Sequence, residues 1–199
     1  MSTDVIDRLV GIDPESPLAV VRAQRPQARD NAQASYQALF EPAEPGDVTR
    51  EERFALAAFV TSLHLEPEIA EFYAGGLDEA SGGPGLRGHV EAAVASGLAE
   101  GPYGRYPSGP LSREDVDGPQ YRVPDEQRDA LGHRLAAAFE HAHMLVFHPR
   151  DASPAALQAL LDAGWSVTGV VTLSQIVAFL TFQIRVVVGL RALAATQAA

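Results

Sequence analysis

The chain contains no cysteine. Disulfides, thiolate nucleophiles, Cys-ligated zinc and redox Cys-x-x-Cys chemistry are therefore excluded. Lysine is absent too: all 15 basic residues are arginine. A lysine Schiff base and the lysine of a P-loop fall with it. Positive charge is scarce, with 15 basic against 26 acidic residues and a formal net charge of −11. A surface of that sign repels nucleic acid and anionic membranes, and neither is expected as a partner. The opening MSTDVIDRLVG lacks a basic stretch followed by an apolar block, so no secretory signal is read and a cytoplasmic location is expected. No segment shows the strict apolar–polar alternation of a half-buried strand.

What the sequence does have is apolar mass and helix punctuation. With 199 residues, 46% of them hydrophobic, it can bury one core, as a single domain or as two small halves that share it. The run from Ala163 to Ile184 holds no charged residue and is long enough to cross a bilayer. It also carries Thr168, Thr172, Ser174, Gln175, Thr181 and Gln183, a polar load that suits a helix buried in protein, and no membrane span is expected.

Ser16 before Pro17 predicts a helix start, and Pro26 a break. Thr49 and Glu52 have capping-box spacing, followed by Phe54, Leu56, Ala57, Val60 and Leu63 at helical intervals. Pro67 opens another helix, expected to close at Gly75-Gly76. A short amphipathic helix is expected from Arg87, and a long one from Asp125, its expected cap, to Phe147. Ser153 and Pro154 start a helix that Gly164 ends, and SVTGVVTLSQIVAFLTFQIRVVVGL reads as a long helix at the centre of a bundle. Residues 100–124 are too rich in Gly and Pro for a regular element and too long for an ordinary connection, as a lid, an oligomer arm or a linker would be. The expected fold is all-α.

Two stretches, DVIDRLVGIDPESPLAVVRAQRPQAR and ASPAALQALLDAGWSVTGVVTLSQIVAFLTFQIRVVVGL, together with TREERFALAAFVTSLHLEPEIAEFY between them, resemble the carboxymuconolactone decarboxylase and alkylhydroperoxidase-D-like (AhpD-like) superfamily. The likeness is to its peroxidase-related branch, in which one chain carries two helical halves. It implies an AhpD-like bundle over 1–199, with an N-terminal half at 1–99, the Gly/Pro-rich connection at 100–124 and a C-terminal half at 125–199. Peroxidatic relatives carry a Glu, a Cys-x-x-Cys pair at a helix start and a His one turn on, where the helix end lowers the thiol pKa and Glu and His relay protons. An ungapped alignment puts these on Phe54, Glu66, Ile69 and Tyr73. All four are changed, and a thiol peroxidase mechanism is excluded for this chain.

Glu66, with His64 and Tyr73 as supporting donors, is the expected replacement site for cofactor-independent proton transfer on a small organic molecule. The plainer reading of Glu66 and Glu68 is a favourable charge at a helix start. Glu140 and His143 have the Glu-x-x-His spacing of di-iron bundles, but the final helix lacks the remaining carboxylates, so no metal or other cofactor is expected. His141 and His148 share a helical face and are expected at a surface or interface. Gly83 to Gly88 spells G-x-G-x-x-G, yet no strand precedes it and Pro84 removes a phosphate-binding donor. Trp165, Phe179 and Phe182 are expected in the core, and Arg185 is expected to tie halves or subunits together. A homo-oligomer is expected, and the alternative to an enzyme is a scaffold or a partner of a Cys-containing relative.

Overall fold

Helix boundaries follow the capping chemistry closely. The computed structural model describes residues 4–197. Within them lie helices α1 (Val5–Val10), α2 (Pro17–Ala23), α3 (Pro26–Phe40), α4 (Arg50–Leu63), α5 (Pro67–Ser81), α6 (Gly85–Gly97), α7 (Asp125–Phe147), α8 (Pro154–Asp162) and α9 (Val167–Gln197). No strand occurs among the described residues, which have one isolated bridge between Gly104 and Val116. The all-α expectation holds. Ser16 and Ser153 cap α2 and α8 through their side chains, and Thr49 and Glu52 form a complete capping box on α4.

Several boundaries differ from expectation. Helix α5 runs through Gly75-Gly76 and ends at Gly82, a left-handed cap at φ 76°. Gly76 serves packing instead: a Cβ there would land on the Phe54 ring of α4. Helix α7 is kinked at Gly132 (φ 77°, ψ 156°), and Asp125 lies inside its first turn instead of capping it. Leu65, exposed at the α4–α5 turn, holds φ 58°, the position where glycine commonly ends a helix.

Helix α4 is the axis of the molecule. Every residue from Arg53 to Thr61 is buried, with α5, α6, α7 and α9 packed around it. One continuous core runs from Val5 in α1 to Val187 in α9. Helix α9 is less central than its composition suggests. Leu173, Ile176, Leu180 and Val187 face the core, whereas Val171, Phe182 and Val188 are exposed. Phe182 is thus not a core residue, although Trp165 and Phe179 are. Helix α9 is long and apolar enough to cross a membrane, and about 39% of its most apolar window is buried against the protein.

Arginines join the pieces. The buried Arg53 guanidinium donates to the carbonyls of Leu39 (2.7 Å), Pro45 (2.8 Å) and Val48 (3.0 Å), fastening the end of α3 and the following loop to α4. Arg134 of α7 bonds Glu52 at 2.6 Å and the Asp47 carbonyl at 2.8 Å, and lies 4.2 Å over the Trp165 ring. Arg185, by contrast, is exposed and donates to Thr181 of its own helix at 2.9 Å, so among the described residues it joins no two elements. Arg53→Ala strands three carbonyls without their cation and is expected to lower unfolding free energy by about 3–5 kcal/mol. Urea denaturation measures this, and a loss below about 1 kcal/mol would show that the loop repacks without the clamp.

Candidate functional site

The α4–α5 hairpin carries Phe54, Glu66, Ile69 and Tyr73. Glu66 precedes the first turn of α5 and makes no capping bond. Ile69 and Tyr73 point inward at 0% exposure, and Phe54 is 4% exposed. The Phe54 and Tyr73 ring centroids are 6.3 Å apart, and Phe40 packs on both at 5.3 and 5.1 Å. Aromatic packing therefore fills the space between the helices. The Tyr73 hydroxyl donates to Gln183 Oε1 of α9 at 2.6 Å, and burial holds its pKa well above the ordinary value. His64 is half-buried at the end of α4, with a shielded, unpartnered Nε2. Burial, then the nearby Arg185 charge, lowers its pKa.

A groove of about 460 Å³ does lie beside Glu66, between α4, α5 and α6, with Ser62, Leu65 and Arg87 on its walls. Neither His64 nor Tyr73 lines it. The three expected site residues thus face a groove, a helix end and the core. Arg87 is already engaged by Glu71, Asp78 and Glu91.

A larger cavity, about 720 Å³, lies between α7, α8 and the 100–124 segment. The His-Pro-Arg-Asp sequence after α7 makes a 3-10 turn at Pro149–Asp151, which brings residues three apart onto one side. Asp151 Oδ2 sits 3.2 Å from His148 Nδ1. The carboxylate places the proton on Nδ1 and leaves the lone pair on Nε2, which is buried and has no partner. His141 and His148 are each 7% exposed and His143 1%, so none of the three lies at the surface, one of the two placements expected of these histidines. His141 and His148 line the cavity, as do Tyr121 and Met144. Behind them His143 Nε2 donates to the Gly97 carbonyl at 2.9 Å and its ring stacks on Tyr121.

Glu140 does not act with His143. It bonds Arg122 at 2.8 Å, the Val123 amide at 3.0 Å, and Arg128. Among the described residues no group of three or more His, Asp or Glu side chains is arranged to hold a metal ion. The cavity wall carries two guanidiniums, Arg105 and Arg122, against three carboxylates, Asp117, Glu140 and Asp151. An aspartate three residues after a histidine, with proline between them, was the sequence signal for this site. Comparison of the chain with protein-family models, curated proteins and solved structures found no match.

Burial pushes the His143 imidazole down from 6.5 to about 4, with the Gly97 bond opposing and His148 adding to the shift. The folded protein therefore binds fewer protons than the unfolded chain between those values. The contribution is fully present above pH 6.5 and is lost as pH falls through about 4, in all about 3 kcal/mol. His143→Gln keeps a donor for Gly97 and is expected to flatten the fall in stability between pH 7 and 4.5. An unchanged slope in paired urea titrations would assign the acid sensitivity elsewhere.

Proposed function

We propose that the protein is a cysteine-free member of the carboxymuconolactone decarboxylase and AhpD-like superfamily, of the peroxidase-related two-half branch. In this reading it is a cofactor-independent acid–base enzyme acting on a small, uncharged organic molecule in the α7–α8 cavity. The family reading rests on the resemblance of the sequence; of the four positions, Phe54, Ile69 and Tyr73 are buried, with the Phe54 and Tyr73 rings 6.3 Å apart, and Glu66 lies at the groove. The acid–base reading is carried by one observation. His148 forms part of the cavity wall with its Nδ1 engaged by Asp151 and its Nε2 unshared.

That arrangement suits a general base. Nε2 is shielded from solvent in this structure; once the wall that shields it moves, it takes a proton from a C–H or O–H of the substrate, and Asp151 stabilises the imidazolium and holds the ring through Nδ1. The same Nε2 returns the proton to the product, so the side chains are regenerated. An excess of carboxylate on the wall disfavours multiply charged anions. Met144, Ala156 and Ala159 give the substrate's carbon skeleton an apolar surface. Incorporation of deuterium from D2O next to the carbonyl of small ketones and lactones, followed by proton NMR, tests the reading. His148→Gln is expected to slow exchange by about 10²-fold or more, and Glu66→Gln to leave it unchanged. The reverse pattern would return the chemistry to the groove at Glu66.

The second reading is a scaffold, either a homo-oligomer or a partner of a Cys-containing relative. Its support is the exposed apolar face of α9, with Val171, Phe182 and Val188 uncovered. The net acidity fits a cytoplasmic protein free of nucleic acid. Sedimentation velocity is expected to give a mass above 21.2 kDa, falling to that of the monomer in Phe182→Glu. A monomeric wild type would sink the oligomer.

A further inference from the structure

The 100–124 segment forms one wall of the α7–α8 cavity through Arg105, Asp117, Gly118 and Tyr121. It has little internal structure: a bridge between Gly104 and Val116, and a 3-10 turn at Pro110–Glu114. Its far end is anchored on α6 and α7 through Tyr121, Arg122 and Val123, and its near end, residues 103–106, is held at the turn after α7. The Tyr103 amide donates to the Phe147 carbonyl at 2.8 Å, Arg150 donates to the Tyr103 carbonyl at 2.9 Å, and the Arg150 guanidinium lies 3.9 Å over the Tyr106 ring. The Arg105 amide donates to Asp151 Oδ1 at 3.1 Å. Gly104, at φ 110°, lies flat against the same carboxylate, where a Cβ would come 3.2 Å from Oδ1.

Asp151 therefore has two engagements. One oxygen accepts from the backbone of the segment, and the other holds the His148 ring. We propose that Asp151 is a positioning residue coupling the seating of the 100–124 segment to the orientation of His148. A seated segment fixes the carboxylate, which fixes the ring with its proton on Nδ1. A segment lifted to admit a substrate releases Oδ1, and the carboxylate is free to turn away from the ring. The base is in register only when the segment is seated. This inference rests on the acid–base reading for its consequence, though not for the coupling itself.

The charged and titratable groups around the pair are His141, His143 and Glu140 from α7, Arg150 from the turn, and Arg105, Asp117 and Arg122 from the segment. Helix α8 contributes only alanines to the cavity. A replacement that keeps these charges constant is needed, and the backbone bond supplies it. Arg105→Pro removes the amide donor to Asp151, and Arg105→Ala removes the same side-chain charge while keeping that donor.

The experiment is histidine ring NMR on the full chain labelled with 15N-histidine. In the wild type and in Arg105→Ala, His148 is expected as the Nδ1–H tautomer at neutral pH. In Arg105→Pro that tautomer is expected to lose population relative to Arg105→Ala, with the Nδ1 and Nε2 chemical shifts moving toward each other. Tyr106→Ala, which loosens the segment without altering a charge, is expected to move the tautomer in the same direction and serves if the proline variant folds poorly. Faster amide exchange at Gly104 and Val116 with an unmoved His148 tautomer would overturn the coupling. Deuterium exchange into ketones and lactones is scored separately: its absence in the wild type removes the enzyme reading and leaves this result intact.

Discussion

The guanidinium of Arg53 is the point on which the N-terminal part of the molecule turns. A buried cation is tolerated only where its donors are satisfied, and here three backbone carbonyls from the end of α3 and the next loop satisfy it. The loop is thereby given one path, and α4 one depth in the core. Arg134 does comparable work farther along the chain, reaching Glu52, a loop carbonyl and the Trp165 face together. A planar fork with five donors can do this, and a lysine ammonium on a flexible stem cannot. The absence of lysine from the chain is thus matched by arginines that act as joints between segments.

With α4 fixed, its two sides differ. Toward α5 and α9 the space is filled by Phe40, Phe54, Ile69 and Tyr73, with Tyr73 joined to Gln183 across the core. Aromatic packing of this kind leaves no room for a substrate at those four positions. Beside α7, the turn at Pro149–Asp151, α8 and the 100–124 segment frame an open cavity. Polar chemistry gathers there: a histidine–aspartate pair, a second cavity histidine, and a third holding the end of α6. The long 100–124 connection forms one wall of the cavity, and its backbone contacts the same aspartate. Connections of this length commonly carry function because a surface segment can move without opening the core.

The sequence by itself determined the absence of thiol and lysine chemistry, the all-helical class, and most helix starts. Those features are local: a residue type is present or absent, and Ser16, Thr49 and Ser153 cap the helices that follow through bonds three residues long. What only the tertiary structure decided was which polar groups meet. His64, Glu66 and Tyr73 are close in sequence, yet a helix end, a left-handed turn at Leu65 and a new helix send them to different surroundings. Phe182 and Arg185 look like core and tie at the end of an uncharged run, yet the face of α9 that carries them is left exposed by the described residues. His148 and Asp151 were legible only as a spacing. Their value comes from α8 and the 100–124 segment closing around them, long-range contacts that no local pattern encodes.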